Sequence, residues 1–259
     1  MSPSERRPPA VARVLERLVS TVRHRGLIEP GQTVLLAVSG GPDSTCLLHA
    51  MARVSRLLHV RLAVAHVDHG MRTDSAADAA YVERSARAVG LPVRVLRIEG
   101  RPSRGASVEA FLRGERYRLL EAARRDAGVD LVATAHTADD QAETVLMALL
   151  RGAGLSALGG IAPRRDRVIR PLLDVTRDET AAFCRALRLR PRSDPMNLEP
   201  GYLRVAVRQQ VLPAIARATG REVRATIGRT ADALREDATL LDALAARASR
   251  RIVRRLPAS

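Results

Sequence analysis

Two short runs carry the residue types and spacings that chemistry on a nucleotide needs. The first is Ser39-Gly40-Gly41-Pro42-Asp43-Ser44. Its glycines allow positive φ and a close approach to a ligand, and Pro42 and Asp43 suit the first turn of a helix. A strand, a glycine turn and a helix start together aim bare N–H groups and the positive end of a dipole at one point, where a phosphate or pyrophosphate sits. A carboxylate at Asp43 repels phosphates unless Mg²⁺ lies between them, so the hexapeptide predicts an anion cradle with a cation. A plain strand-to-helix turn capped by Asp43 or Ser44 uses the same residues. The second run is His136-Thr137-Ala138-Asp139-Asp140-Gln141-Ala142-Glu143-Thr144. His136, Asp140 and Glu143 project from one side of a helix start. A cap accounts for one first-turn acid, but three acids and a histidine exceed that need. The expectation is that Asp43 and Asp140 share Mg²⁺ on nucleotide phosphates while the Glu143 and His136 side orients an amine nucleophile.

The elements that must position these runs are legible as alternating patterns. Residues 34–38, 62–67, 93–98 and 129–135 are short apolar runs, the pattern of strands buried on both faces of a parallel sheet. Helical periodicity falls between them, at 74–89 and 107–127, and also at 10–25, where Val11, Val14, Leu15, Leu18 and Val22 share a face. Alternation of this kind predicts an α/β doubly wound parallel sheet with ligands beyond the carboxyl ends of its strands. A further helix is expected at 176–187, and a long Arg- and Ala-rich helix or helix pair from 221 to 256.

Composition narrows the chemistry. No lysine is present, so all 43 basic residues are arginine and the lysine-bearing Walker A loop is excluded. Aromatics make up 2% of the chain with no Trp, which argues against aromatic base-stacking platforms. Cys46 and Cys184 form neither a CxxC pair nor a disulfide framework, as expected of a reducing cytoplasm. No run approaches the length of a membrane span, and the N-terminus has no apolar signal core. The net charge of +15 is uneven: residues 164–259 hold 21 Arg against 11 Asp and Glu. Such a field suits a polyanion, with biased arginine usage as the bland alternative.

Other residues are more ambiguous. His66 and His69 flank Asp68 at a strand end, which reads as a metal pair, a nucleotide contact or a polar loop support. Arg113 and Arg116 share a helix face. Arg204 and Arg208, four apart, make a basic stripe suited to RNA phosphates or to a solvated face.

SGGPDS resembles the signature of the PP-loop ATP pyrophosphatase superfamily, and HTADDQAET, followed by Arg151-Gly152-Ala153-Gly154-Leu155, is similar to the motif of the lysidine synthases within it. His66-Val67-Asp68-His69-Gly70-Met71-Arg72, the Arg113 to Tyr117 element, Arg170-Pro171-Leu172-Leu173, Asp194-Pro195-Met196-Asn197 and Tyr202 to Arg208 follow that family's order. The resemblance implies residues 1–215 as a PP-loop domain and 216–259 as a small basic helical C-terminal appendage. It implies ATP and Mg²⁺, bound through Ser39, Gly40, Gly41, Pro42, Asp43 and Ser44 with His66 and Arg72 near the adenosine. Arg113 would balance phosphate charge, and Arg151, Arg204 and Arg208 would hold tRNA. The implied reaction adenylates the wobble cytidine of a CAU-anticodon tRNA(Ile), releases pyrophosphate and lets free L-lysine displace AMP. A cytoplasmic protein is implied, its oligomeric state open with a homodimer among the options. The alternatives are a PP-loop tRNA thiolase and a noncatalytic RNA-binding module.

Overall fold

The computed structural model describes residues 8–70, 75–105, 107–192 and 203–252. Arg72, the 194–197 stretch and Tyr202 lie outside the described residues. In chain order the elements are α1 (Pro9–His24), β1 (Thr33–Ala37), α2 (Pro42–Leu58), β2 (Arg61–Asp68), α3 (Ser75–Ala88), β3 (Val93–Arg97), α4 (Val108–Asp126) and β4 (Leu131–Ala133). They continue with α5 (Ala138–Leu150), α6 (Leu155–Leu158), β5 (Arg164–Arg165), β6 (Val168–Ile169), α7 (Arg177–Ala186), α8 (Leu203–Ala206), a π-helical turn (Val207–Val211), α9 (Leu212–Thr219) and α10 (Val223–Ile252). The chain forms two compact units that do not follow chain order: residues 1–138 with 163–197, and 139–162 with 198–259.

In the first unit the sheet runs β3-β2-β1-β4-β6-β5. All pairs are parallel except β5 with β6. The doubly wound parallel sheet is as expected, and the antiparallel edge is an addition. β5 and β6 are two residues long, too short to leave a periodic signal. Chain order reverses between β1 and β4, so the crevice of this sheet opens beyond their carboxyl ends. In β1, Val34 and Leu36 pack with Val11, Leu18, Leu47, Met51 and Phe183, whereas Leu35 faces Leu120, Ala123 and Val132. This is strand alternation with helices on both faces.

Helix α7 is held firmly within this unit. Thr176 and Glu179 form a capping box, with Thr176 N–H donating to Glu179 Oε2 at 3.0 Å and Glu179 N–H to Thr176 Oγ1 at 3.3 Å. Arg17 reaches Glu179 at 2.9 Å. Arg25 and the Thr21 hydroxyl each reach Asp174, just before the helix, at 2.8 Å.

In the second unit, Ala142 of α5 packs with Val207, Leu212, Leu146, Met147, Val223 and Ile227. The π turn ends against Pro213, which offers no N–H for the helical bond and crowds the carbonyl four residues earlier, so the helix widens there. Gly160 has φ +62°, and a Cβ there would meet Gln141 Oε1 at 2.6 Å and Val145 at 2.8 Å. Gln141 Oε1 accepts the Ile161 N–H at 2.6 Å, and Arg235 donates to the carbonyls of Gly159 and Ile161. No described helix is long and apolar enough to cross a membrane.

Candidate active site

The first unit contains an open cleft of about 260 Å³ at the carboxyl ends of β1, β2 and β4. Its lining includes Ser39, Gly41, Pro42, Asp43, Ser44, His69, Arg116, Tyr117 and His136. The loop from β1 to α2 makes one wall. Gly40 sits at φ +96°, where its virtual Cβ has ordinary room, so its conformation and not crowding calls for glycine. Pro42 opens α2 after Gly41, and the first helical bond is Thr45 N–H to the Gly41 carbonyl at 2.9 Å. The amides of Asp43 and Ser44 therefore have no acceptor within their own helix, and the dipole there favours an anion.

Ser44 shapes this loop. Its Oγ accepts from the amides of Ser39 (3.2 Å) and Gly40 (3.1 Å), donates to the Gly41 carbonyl (3.0 Å), and lies 3.1 Å from Ser39 Oγ. The Thr45 hydroxyl adds a tie to the Gly40 carbonyl at 3.3 Å. Ser44→Ala removes the acceptor for two loop amides, and a lost bond of this kind costs about 1–2 kcal/mol. Affinity for a fluorescent ATP analogue, followed by titration, is expected to fall ~10-fold. Wild-type affinity would show that the loop keeps its shape without this hydroxyl.

Asp43 lies in the first turn of α2 and faces α7. The Thr180 hydroxyl donates to its Oδ1, and Arg177 Nε is 3.7 Å from its Oδ2. No local pattern encodes this partnership, because Thr180 stands 137 residues away. The Asp43 carboxylate lines the cleft, and its hard oxygens are the donor type Mg²⁺ takes. Among the described residues no group of three His, Cys, Asp or Glu side chains could hold a metal ion by itself, so the fit is that of one carboxylate completed by phosphate oxygens and water.

His66 is placed differently from its neighbour. The residue is 3% exposed, with its ring Nδ1 donating to the Val38 carbonyl at 2.8 Å, so it braces the end of β1. His69, not His66, lines the cleft. Asp68 between them accepts the Gly70 N–H at 2.8 Å. Burial opposes its ionisation, but the Gly70 amide, the Ser75 hydroxyl and Arg97 outweigh that and hold its carboxyl below the usual range. This is the loop-support role among the three open for the motif.

From α4, Arg116 and Tyr117 line the cleft. Arg113 lies over the Tyr117 ring, 5.7 Å from its centroid, a cation–π contact. Arg170, after β6, is 6% exposed and hydrogen-bonds Tyr117. Arg113 and Arg170 thus both meet the Tyr117 ring, and Arg116, not the Arg113 named from the sequence, is the arginine that lines the cleft. On β4's carboxyl side, His136 Nδ1 is 2.9 Å from Thr134 Oγ1, itself 3.5 Å from the Ile169 carbonyl. The Thr134 hydroxyl thus orients the His136 ring at the edge of the cleft.

The two thiols are unsuited to nucleophilic work. Burial pushes Cys184 up to about 12 and Cys46 higher still, with neighbouring Asp43 adding to both. Both remain protonated at neutral pH.

In the second unit the acids of α5 are met by arginines. Glu143 is 0% exposed, and its carboxylate takes Arg204 Nε and Arg208 Nε at 2.8 Å each, with Arg208 Nη2 at 3.2 Å. Arg204 Nη2 is also 3.5 Å from Asp140 Oδ1, and Arg224 Nε is 2.6 Å from Asp139 Oδ1. The basic stripe inferred from the sequence is thus turned onto carboxylates in this structure. Arg151 is exposed in the turn after α5.

Comparison with known proteins accords with this architecture. Residues 10–215 match the PP-loop domain family. The tRNA(Ile)-lysidine synthase of Symbiobacterium thermophilum is 41% identical over 236 residues, which cover 88% of this chain and 49% of that protein. The protein of the same name from Salinispora tropica is 44% identical over 243 residues, covering 90% of this chain and 72% of its own length. The chain belongs to the PP-loop family, in the group that these lysidine synthases represent. It spans about half the length of the Symbiobacterium relative and of the one from Clostridium perfringens, 49% and 48%. Among solved structures, the U34-tRNA thiolase NcsA from Methanococcus maripaludis superposes with a TM-score of 0.76 at 17% identity, covering 88% of this chain and 79% of that one. At that identity the likeness concerns the fold.

Proposed function

We propose that the protein uses ATP to join L-lysine to the wobble cytidine of a CAU-anticodon tRNA(Ile), through an adenylated base, with release of pyrophosphate and then AMP. The observation that carries this reading is the cleft. It joins a lysine-free anion loop, a carboxylate in the first turn of α2 and a histidine with a defined hydrogen-bond partner, in a chain that matches relatives named for this reaction.

The roles follow from charge. The amides at the start of α2 hold phosphates, and Arg116 offsets their charge as the α-phosphorus is attacked by the cytidine oxygen. Asp43 would hold Mg²⁺, whose charge stabilises departing pyrophosphate. His136, which lines the cleft, is the candidate to accept a proton during amine attack. Asp140 and Glu143 are instead paired with Arg204 and Arg208 within the second unit, where they tie α5 to α8 and the π turn. The thiolase reading is weakened by the protonated, buried thiols, since sulfur delivery needs accessible thiolate or persulfide chemistry.

Incubation with a CAU-anticodon tRNA(Ile) transcript, ATP, Mg²⁺ and labelled lysine tests the proposal. The expected products are AMP and pyrophosphate in equal amounts, with label on the tRNA, read by mass spectrometry of the nucleosides. ADP with inorganic phosphate would remove the reading, because a cradle without a Walker lysine suits loss of a whole pyrophosphate.

A further inference from the structure

We propose that Thr180 of α7 is a positioning residue for Asp43, dedicating one carboxylate oxygen to α7 and leaving the other for Mg²⁺, and that Arg177 is the cation which the metal ion displaces. The inference rests on the reading of the cleft as an Mg²⁺-ATP site.

The two oxygens of Asp43 have different partners. Oδ1 accepts the hydroxyl of Thr180, a residue with 0% exposure, so that hydroxyl has no water to turn to instead. The same hydroxyl lies 2.9 Å from the Arg177 carbonyl. It has one proton, and the anionic oxygen is the stronger acceptor. Oδ2 is 3.7 Å from Arg177 Nε, in a pair whose side chains are 24% and 26% exposed. Such a long, partly solvated pair contributes little and yields easily to a divalent ion.

Helix α7 cannot simply follow the carboxylate if it turns. Its capping box, the Arg17 contact to Glu179 and the Arg25 and Thr21 contacts to Asp174 fix its first turn. Phe183 and Cys184 anchor it in the core, with Cys184 Sγ 3.5 Å from the Pro42 carbonyl. Mg²⁺ demands near-octahedral geometry at ~2.0–2.1 Å from its oxygens, so a carboxylate held in one rotation binds it better than one free to turn. Thr180 and Arg177 therefore affect metal binding with opposite signs. Arg177 competes for Oδ2 and Thr180 prepares it.

The experiment titrates Mg²⁺ against the full chain in the presence of α,β-methylene-ATP, with binding followed by calorimetry and no turnover involved. Thr180→Val is expected to weaken apparent Mg²⁺ affinity ~10-fold, as for loss of a bond to a charged group. Thr180→Ser should restore it, and Arg177→Gln should strengthen it ~3-fold. Binding of the metal-free analogue should be unchanged in the threonine variants. If Thr180→Val disturbs the core, the serine and Arg177 variants still decide the matter. Equal Mg²⁺ affinity in all variants, or a change of the same sign at both positions, overturns the inference and leaves the ATP site standing. A wild-type protein that binds the analogue with no Mg²⁺ dependence, or does not bind it, overturns the reading of the cleft and this inference with it.

Discussion

Asp43→Asn is expected to lower lysine-dependent pyrophosphate release at least ~100-fold, an effect of ~3 kcal/mol on the transition state. The substitution is nearly isosteric, and the amide oxygen can still accept the Thr180 hydroxyl, so the fold and the α2–α7 contact are kept. What is lost is the negative charge that would hold Mg²⁺ against developing charge on the departing pyrophosphate. The same change should act in the opposite direction on metal-free ATP, which the carboxylate repels, so affinity in EDTA should hold or improve. tRNA affinity should be unchanged. Near wild-type turnover in rapid-quench assays would show that Asp43 serves only to join α2 to α7.

The parts of this arrangement that were legible in the sequence are those encoded locally. A strand, a glycine turn and a helix start lie close together in the chain, so the β1–α2 loop and the helix start it leads into follow from residues 33 to 45 alone. The start of α5 is local in the same way, and its acids fall in the first turn as the spacing predicts. Partners across the fold were not legible. Thr180 meets Asp43, and Arg204 and Arg208 meet Glu143, 61 and 65 residues away, through packing that no short-range pattern encodes. Pattern also misled at His66 and His69. Both face a strand end in sequence, but alternation along β2 turns the first toward Val38 and leaves the second, beyond the strand, at the cleft. The π turn did have a signal, in Pro213 within an otherwise helical run.

Arg204→Ala combined with Arg208→Ala is expected to destabilise the second unit by about 3 kcal/mol or more, the scale for breaking a buried ion pair from one side. Read from the sequence alone, the same double variant would cost two phosphate contacts and make the dependence of log K for tRNA on log salt shallower by about 1 to 2. The structure makes stability the first effect. Glu143 is fully buried, and the variant removes two guanidinium groups that hold its carboxylate in place. Either single variant should cost much less, because the other arginine still reaches Glu143, so the pair should be strongly non-additive. Adding Glu143→Met to the double variant should recover most of the lost stability, since an apolar side chain of similar volume needs no cation there. Amide hydrogen exchange along α5 reads these changes locally, and denaturant midpoints read them for the whole chain. A double variant as stable as wild type, with a shallower salt dependence of tRNA binding, would mean that these arginines leave Glu143 at no cost and act on phosphates. Loss of stability that Glu143→Met fails to repair would instead place their contribution in packing along α8 and the π turn.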